Sequence, residues 1–163
     1  MTKQNLIKVG MADMKIAKSP QILTTLGLGS CVGIVIYDTN LKIAGLAHIM
    51  LPDSSKIRNN TNIYKFADTA ILDMIAQLIS EGCSQYNLVS KIAGGSQMFD
   101  FKNVDEEMRI GTRNVNAITN ILREKRIPIL SSDTGNNYGR TVEFYTETGK
   151  FKIKTVGHGI REI

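Results

Sequence analysis

A cysteine and a histidine lie close together in the first third of the sequence, in settings that favour chemistry. Cys31 follows the glycine-rich residues 27–30 and precedes an apolar run, and His48 lies on the next apolar segment. Glycines in such a turn permit close approach of a substrate and can aim backbone N–H groups at an oxyanion beside the sulfur. A thiolate beside a histidine attacks carbonyl carbon, and the histidine then protonates a leaving amine. The pair indicates acyl transfer at an amide, ester or peptide bond through a thioester.

The hairpin that would carry this pair allows a test of its geometry. If residues 38–41 form a four-residue loop, Tyr37 pairs with Lys42 and Cys31 lies directly opposite His48. Opposed side chains on one face have Cβ atoms about 4.5–5.5 Å apart, within reach of a thiolate–imidazolium pair. A slip of one residue would put the two side chains on opposite faces. From residue type alone, an inert core cysteine and a structural histidine remain the alternative.

Composition and charge exclude several other functional classes. The chain has 163 residues, which fits one domain over residues 1–163, and its net charge of +5 is spread along the sequence. Aromatic residues make up only 6%, so the basic stripe with stacking aromatics of a nucleic-acid binder is missing. Two cysteines and two histidines disfavour a structural zinc site, and no apolar run approaches the roughly 18 residues of a membrane span. With no signal peptide expected, we expect a cytoplasmic protein without metal or cofactor, whose charge favours an acidic protein partner.

The elements that would position the pair follow from the apolar patterning. Strands are expected at residues 22–26, 32–37, 43–51, 88–93, 141–146 and 151–156, with one or two between residues 6 and 16 and a short one opening at 128–130. Helical spacing predicts a helix over residues 63–80 that stops at Gly82, and a second over residues 112–126. The sequence therefore predicts a layered α/β sandwich with a mixed or largely antiparallel sheet and two main helices.

Two segments around the pair have distinctive sequences: residues 24–33 are TTLGLGSCVG and residues 45–54 are GLAHIMLPDS. Together they resemble the CheD family, the chemoreceptor glutamine deamidases of bacterial and archaeal chemotaxis. Further matching segments follow in the expected order over nearly the whole chain, at residues 91–95, 98–99, 110–111, 113–115, 133–135, 140–143 and 147–149. The pairing of GLGSC with AHIMLPDS is far more specific than a lone short motif.

The resemblance implies an activity and a set of site residues. The family hydrolyses the side-chain amide of receptor glutamines to glutamate and releases ammonia. Its nucleophilic cysteine matches Cys31, its histidine matches His48, and its third position, a threonine that would orient the histidine, matches Thr25. The backbone of Gly29 and Ser30 is then the candidate oxyanion donor. The implied fold is an α/β sandwich similar to the catalytic domain of cytotoxic necrotizing factor.

The resemblance also implies partners: the cytoplasmic helices of chemoreceptors, and CheC, a phosphatase of the response regulator CheY. Met98 and Phe99 follow a glycine pair, so core packing and an exposed anchor for a partner are equally favoured. Cys83 is expected to be a packing residue and His158 a surface residue. Two alternatives stay open, a mainly non-catalytic regulator of CheC or receptors and a cysteine hydrolase with another amide substrate.

Overall fold

The computed structural model describes residues 5–98 and 109–163. These residues include two five-stranded sheets and two α-helices. The strands are β1 (Leu6–Lys8), β2 (Met14–Lys18), β3 (Ile22–Leu28), β4 (Val32–Asp38), β5 (Ile43–Ile49), β6 (Leu88–Gly94), β7 (Ile129–Thr134), β8 (Arg140–Tyr145), β9 (Phe151–Thr155) and β10 (Gly159–Glu162), and the helices are α1 (Ala67–Ser80) and α2 (Ile110–Glu124). The first sheet has the order β1-β3-β8-β9-β10 and the second β2-β5-β4-β6-β7. Each sheet has one parallel pair, β1 with β3 and β6 with β7, among antiparallel ones. The predicted layered α/β fold with two main helices is confirmed.

The central strands β4 and β5 are covered on both faces, and all of their residues are buried. On one face, Ile34 and Ile36 pack with the apolar faces of the helices. On the other face, Val35 and Tyr37 pack against the first sheet, where the ring of Tyr37 lies 4.9 Å from that of Phe144. The layers are therefore the first sheet, the second sheet and the helices. A continuous apolar run suits a strand covered in this way.

Helix α1 starts later than its sequence pattern predicts. Residues Ile63–Lys65 form a 3₁₀ turn in which the Asn62 side chain accepts from Tyr64 N–H, and the α-helix begins only at Ala67. The helix ends as predicted, because Gly82 adopts a φ of +105° and lets the Cys83 N–H reach the carbonyl of Leu78. Cys83 is buried in the core between the helices and the second sheet, which confirms its packing role.

The β4–β5 hairpin has a different register from the predicted one. Asp38 pairs with Ile43, so Gly33 and not Cys31 lies opposite His48. The reason is Asp38, which is buried at the strand end and accepts the N–H groups of residues 40 and 41 with its carboxylate. This side chain starts the turn one residue later than composition suggests. As a result, the residue opposite His48 changes by two positions, from Cys31 to Gly33. A shift of two leaves each side chain on its predicted face.

Residues 133–135 have an Asp-Thr-Gly sequence that is typical of a turn, but only part of this segment forms one. Asp133 and Thr134 belong to β7, which extends the short strand predicted at residues 128–130. The turn begins at Gly135, which has a φ of +82°. Asp133 stays extended because its carboxylate pairs with the guanidinium of Arg140 at 3.0 Å, an ion pair that is buried.

Candidate active site

His48 and Thr25 meet between the two sheets. His48 lies on β5 of the second sheet and Thr25 on β3 of the first, and the Thr25 Oγ1 is 2.8 Å from the His48 Nδ1. Each residue is only 1% exposed. We call this buried interface, lined here by Thr25, Gly33 and His48, the sheet seam. Gly33 leaves room in it, because a Cβ at that position would lie 3.1 Å from the Cδ1 of Leu28.

The hydrogen bonds of Thr25 determine which nitrogen of His48 carries the proton. The Thr25 hydroxyl donates to the carbonyl oxygen of Val9 at 2.8 Å, and a carbonyl can only accept. The single hydroxyl proton is therefore used, so Oγ1 accepts from the Nδ1–H of the histidine. The Nε2 of His48 is left with its lone pair and has no hydrogen-bond partner among the described residues. An unprotonated, unpartnered Nε2 is what a general base requires.

Cys31 lies at the end of the sheet seam, directly before β4. Its side chain is partly exposed and packs against the apolar cluster between the sheets. It is two residues before Gly33, which pairs with His48, so Cys31 and His48 share a face as diagonal neighbours. The structure thus brings all three predicted residues, Thr25, Cys31 and His48, to one end of the seam.

Burial sets the protonation of this cysteine and histidine. Desolvation raises the pKa of the Cys31 thiol, an effect that its own backbone N–H opposes more weakly. Desolvation lowers the pKa of the His48 imidazole. Both shifts favour the uncharged thiol and the uncharged imidazole over a thiolate–imidazolium pair.

The turn that carries the cysteine, residues 29–31, is anchored by its carbonyl oxygens. The Ser96 N–H donates to the Gly29 carbonyl at 2.8 Å and the Gly95 N–H donates to the Cys31 carbonyl at 2.9 Å. The approach is so close that a Cβ on Gly94 would lie 2.3 Å from the Cys31 oxygen, and Gly94 has a φ of +117°. Only glycine fits there, and this glycine pair is a part of the site to which sequence reasoning gave no role.

The backbone N–H groups of the same turn are less engaged. Gly29 N–H donates to the Gly27 carbonyl at 3.1 Å, so of the two predicted oxyanion donors only Ser30 remains available. Within residues 5–98 and 109–163, neither Ser30 N–H nor Cys31 N–H donates to a hydrogen-bond acceptor of another residue. These two adjacent groups belong to Cys31 and to its neighbour in the chain, so they are the candidate oxyanion donors of this turn.

A buried arginine supports the segment that anchors the turn. Arg140 is 2% exposed, and its Nη1 donates to the Ser96 hydroxyl at 2.7 Å and to the Gly135 carbonyl at 2.9 Å. Its Nε and Nη2 bind one carboxylate oxygen of Asp133. Both Asp133 and Arg140 lie in matching motifs, but sequence alone does not show that they contact Ser96.

Met98 lies beside the cysteine turn and is 46% exposed, so it is not a core residue. Its Cγ is 3.1 Å from the position of a Cβ on Gly29. It also lines a cavity of about 580 Å³ together with Gln97, Arg109 and Thr112. Phe99, its predicted companion, lies outside the described residues.

The remaining sequence predictions concern residues away from the seam. His158 is exposed in the β9–β10 turn, as predicted, and its ring lies 4.3 Å from that of Tyr138. Within the described ranges, no three His, Cys, Asp or Glu side chains are grouped so that they could hold a metal ion. The same ranges contain no helix with the length and apolar character needed to cross a membrane.

Comparison with known proteins identifies the family. The family model of CheD, described as CheD chemotactic sensory transduction, matches residues 50–155. The chain belongs to the CheD family. A CheD relative from Caldanaerobacter subterraneus subsp. tengcongensis, named probable chemoreceptor glutamine deamidase, is 54% identical over 161 residues, which is 99% of each chain. Another of the same name from Lachnoclostridium phytofermentans is 54% identical over 97% of this chain and 98% of its own.

A third CheD relative carries the activity in its name without qualification. The chemoreceptor glutamine deamidase CheD of Halalkalibacterium halodurans is 48% identical over 160 residues, 98% of this chain and 99% of its own. The range matched by the CheD family model begins after Thr25, Cys31 and His48. The family model therefore does not bear on these three residues.

Proposed function

We propose that this CheD-family protein is a chemoreceptor glutamine deamidase in which Cys31 is the nucleophile. The observation that carries the proposal is the hydrogen bond from His48 Nδ1 to Thr25, which leaves Nε2 free on the face that Cys31 shares. The relatives named chemoreceptor glutamine deamidase support the substrate, because they align over nearly the whole chain. A receptor glutamine presents a carboxamide, the group that a cysteine and a histidine together hydrolyse.

The first half of the reaction forms a thioester. His48 Nε2 takes the thiol proton as Cys31 Sγ attacks the carboxamide carbon. Because burial raises the pKa of the thiol, the attack requires this base to remove the proton. The N–H groups of Ser30 and Cys31 stabilise the oxyanion. The carbon–nitrogen bond then breaks, and His48 returns its proton to the leaving nitrogen, which departs as ammonia.

The second half releases glutamate. His48 Nε2 takes a proton from water as the water oxygen attacks the thioester carbon. The carbon–sulfur bond breaks and the sulfur recovers its proton from His48, so the enzyme returns to its neutral resting state. Thr25 holds the imidazole in one tautomer throughout.

The segments around the site carry exposed apolar side chains that suit docking of a protein substrate. Met98 is half-exposed beside the cysteine turn, and Leu26, next to Thr25, is 62% exposed at a β-bulge in β3. Large exposed apolar side chains in the segments near a reactive group are typical of a protein-docking surface. We assign Met98, together with Phe99, to binding of the receptor or of a CheC-like phosphatase, in the cytoplasm.

The test is incubation of the purified protein with a glutamine-bearing cytoplasmic fragment of a chemoreceptor, followed by mass spectrometry of the fragment. We expect glutamine to become glutamate with the wild type and not with Cys31→Ala. Binding without conversion would instead favour a non-catalytic regulator of receptors or of CheC. If the fragment is neither converted nor bound, a panel of other amide substrates would test the remaining cysteine-hydrolase alternative.

A further inference from the structure

One side-chain amide joins the turn that carries Cys31 to the strand that carries His48. The Asn114 Nδ2 donates to the Ser30 carbonyl and to the Met50 carbonyl, each at 3.0 Å. Both partners are acceptors, so they fix the orientation of the amide, and Nδ2 must face them. Ser30 is the neighbour of Cys31, and Met50 is two residues beyond His48.

The bridge lies where the β-ladder between the two strands has ended. Val32 and Ile49 form the last pair of β4 and β5. Beyond this pair, the two segments form hydrogen bonds with different parts of the protein. The cysteine turn is bound to residues 95–96, whereas Met50 N–H and Leu51 N–H both donate to the Lys65 carbonyl at 3.0 Å. Asn114 therefore links the two chains at the point where backbone pairing no longer does so.

A close helix approach places Asn114 at this point. A Cβ on Gly111 would lie 2.5 Å from the Gly95 carbonyl oxygen, so the first turn of α2 rests directly on the segment that anchors the cysteine turn. Asn114 follows three residues later on the same face of the helix. Its burial is complete.

The burial of this amide is not explained by packing alone. The Oδ1 of Asn114 is buried and has no partner among the described residues. A buried acceptor without a donor destabilises the fold, a cost that an apolar side chain would avoid. The two hydrogen bonds that Nδ2 donates offset this cost.

We propose that Asn114 is a positioning residue that sets the distance and orientation of Cys31 relative to His48. The proposal rests on the proposed function, because it acts through Cys31. Proton transfer from thiol to imidazole and attack on the substrate both require fixed geometry, and a misplacement of about 1 Å can lower a rate about a hundredfold. Asn114 itself does not touch the reacting atoms.

The test is the kinetics of Asn114→Ala and Asn114→Ser with the receptor fragment. The alanine variant removes both side-chain N–H donors, and the serine variant replaces them with a single hydroxyl donor. We expect kcat to fall about 10- to 100-fold in Asn114→Ala and less in Asn114→Ser, with KM unchanged. The matched controls Asn116→Ala and Asn120→Ala, which change exposed asparagines of the same helix, should keep the wild-type kcat.

Three results would overturn the proposal. A folded Asn114→Ala with wild-type kcat, while Cys31→Ala is inactive, would reject the positioning role and leave the proposed function intact. A loss carried by KM, or the failure of both Asn114 variants to fold, would show a role in binding or in the fold. Activity in Cys31→Ala would remove the proposed function and this proposal together. Thermal unfolding of every variant separates a failure to fold from the kinetic outcomes.

Discussion

The chain has two cysteines and two histidines, and one residue of each type lies at the sheet seam while the other lies elsewhere. Cys31 and His48 lie on one face at the end of the sheet seam, with Thr25 behind the imidazole. Cys83 is buried beneath α1, and His158 is exposed in the turn between β9 and β10.

The comparison shows which property separates the two thiols. Burial raises the pKa of both cysteines, and for Cys83 nearby Asp38 and Glu81 raise it further. Their resting acidity therefore does not distinguish them. What distinguishes Cys31 is its surroundings, a histidine with a free Nε2 and a turn whose carbonyls are anchored. In the proposed mechanism, the reactivity of Cys31 therefore comes from positioned partners rather than from a preformed thiolate.

The largest expected difference between the two sets is in the histidines. His48→Gln should lower the deamidation rate about 10²- to 10⁴-fold, because the general acid–base group is lost. His158→Gln should leave the rate unchanged, since that ring is exposed and contacts Tyr138 at the surface. Steady-state assays with the receptor fragment measure both. Equal losses of rate in the two variants would show that His48 has no special role in the reaction compared with a surface histidine.

Two adjacent threonines give a finer comparison. Thr25→Val removes the acceptor that fixes the His48 tautomer, and we expect a loss of about 10- to 100-fold in kcat. Thr24→Val removes a similar buried bond, from its hydroxyl to the Val142 carbonyl at 2.8 Å, but one that is not connected to the histidine. Each substitution should cost about 1 kcal/mol of stability by urea unfolding, and only the first should affect kcat. If Thr24→Val lost as much activity, the role of Thr25 would be structural.

The smallest effect concerns titration of the thiols. In Cys83→Ser, the rate of Cys31 alkylation by iodoacetamide should rise with pH through a pKa above that of an ordinary thiol, because burial favours the protonated form. In Cys31→Ser, Cys83 should also titrate high and react more slowly, because it is only 4% exposed. A Cys31 pKa below the ordinary value would show a thiolate–imidazolium pair in the resting enzyme.

Sequence reasoning predicted a layered α/β fold with two main helices and the three residues at the seam, because apolar periodicity and short motifs are local signals. It did not predict that the strands divide into two sheets. It missed the hairpin register, since that depended on the Asp38 carboxylate capturing two N–H groups. It also gave no role to Gly94, although only glycine lets the chain pass the Cys31 carbonyl.

The contacts of Asn114 and Arg140 were missed for another reason. Each reaches the site from a segment distant in sequence, α2 for Asn114 and β8 for Arg140. Their motifs were visible, but the contact partners follow from the tertiary fold and not from spacing. Met98 was open between core and surface, and its exposure follows from the chain geometry after the glycine pair.

The most direct test of the central claim, that Cys31 forms a thioester with the receptor glutamine, is to trap that intermediate. The wild-type protein is mixed with the receptor fragment, quenched in acid during turnover and digested, and the peptides are analysed by mass spectrometry. We expect the peptide that contains Cys31 to be joined to the glutamine-bearing receptor peptide, and hydroxylamine added during turnover to yield the receptor hydroxamate. Turnover with neither product, or with the adduct on Cys83, would contradict the claim.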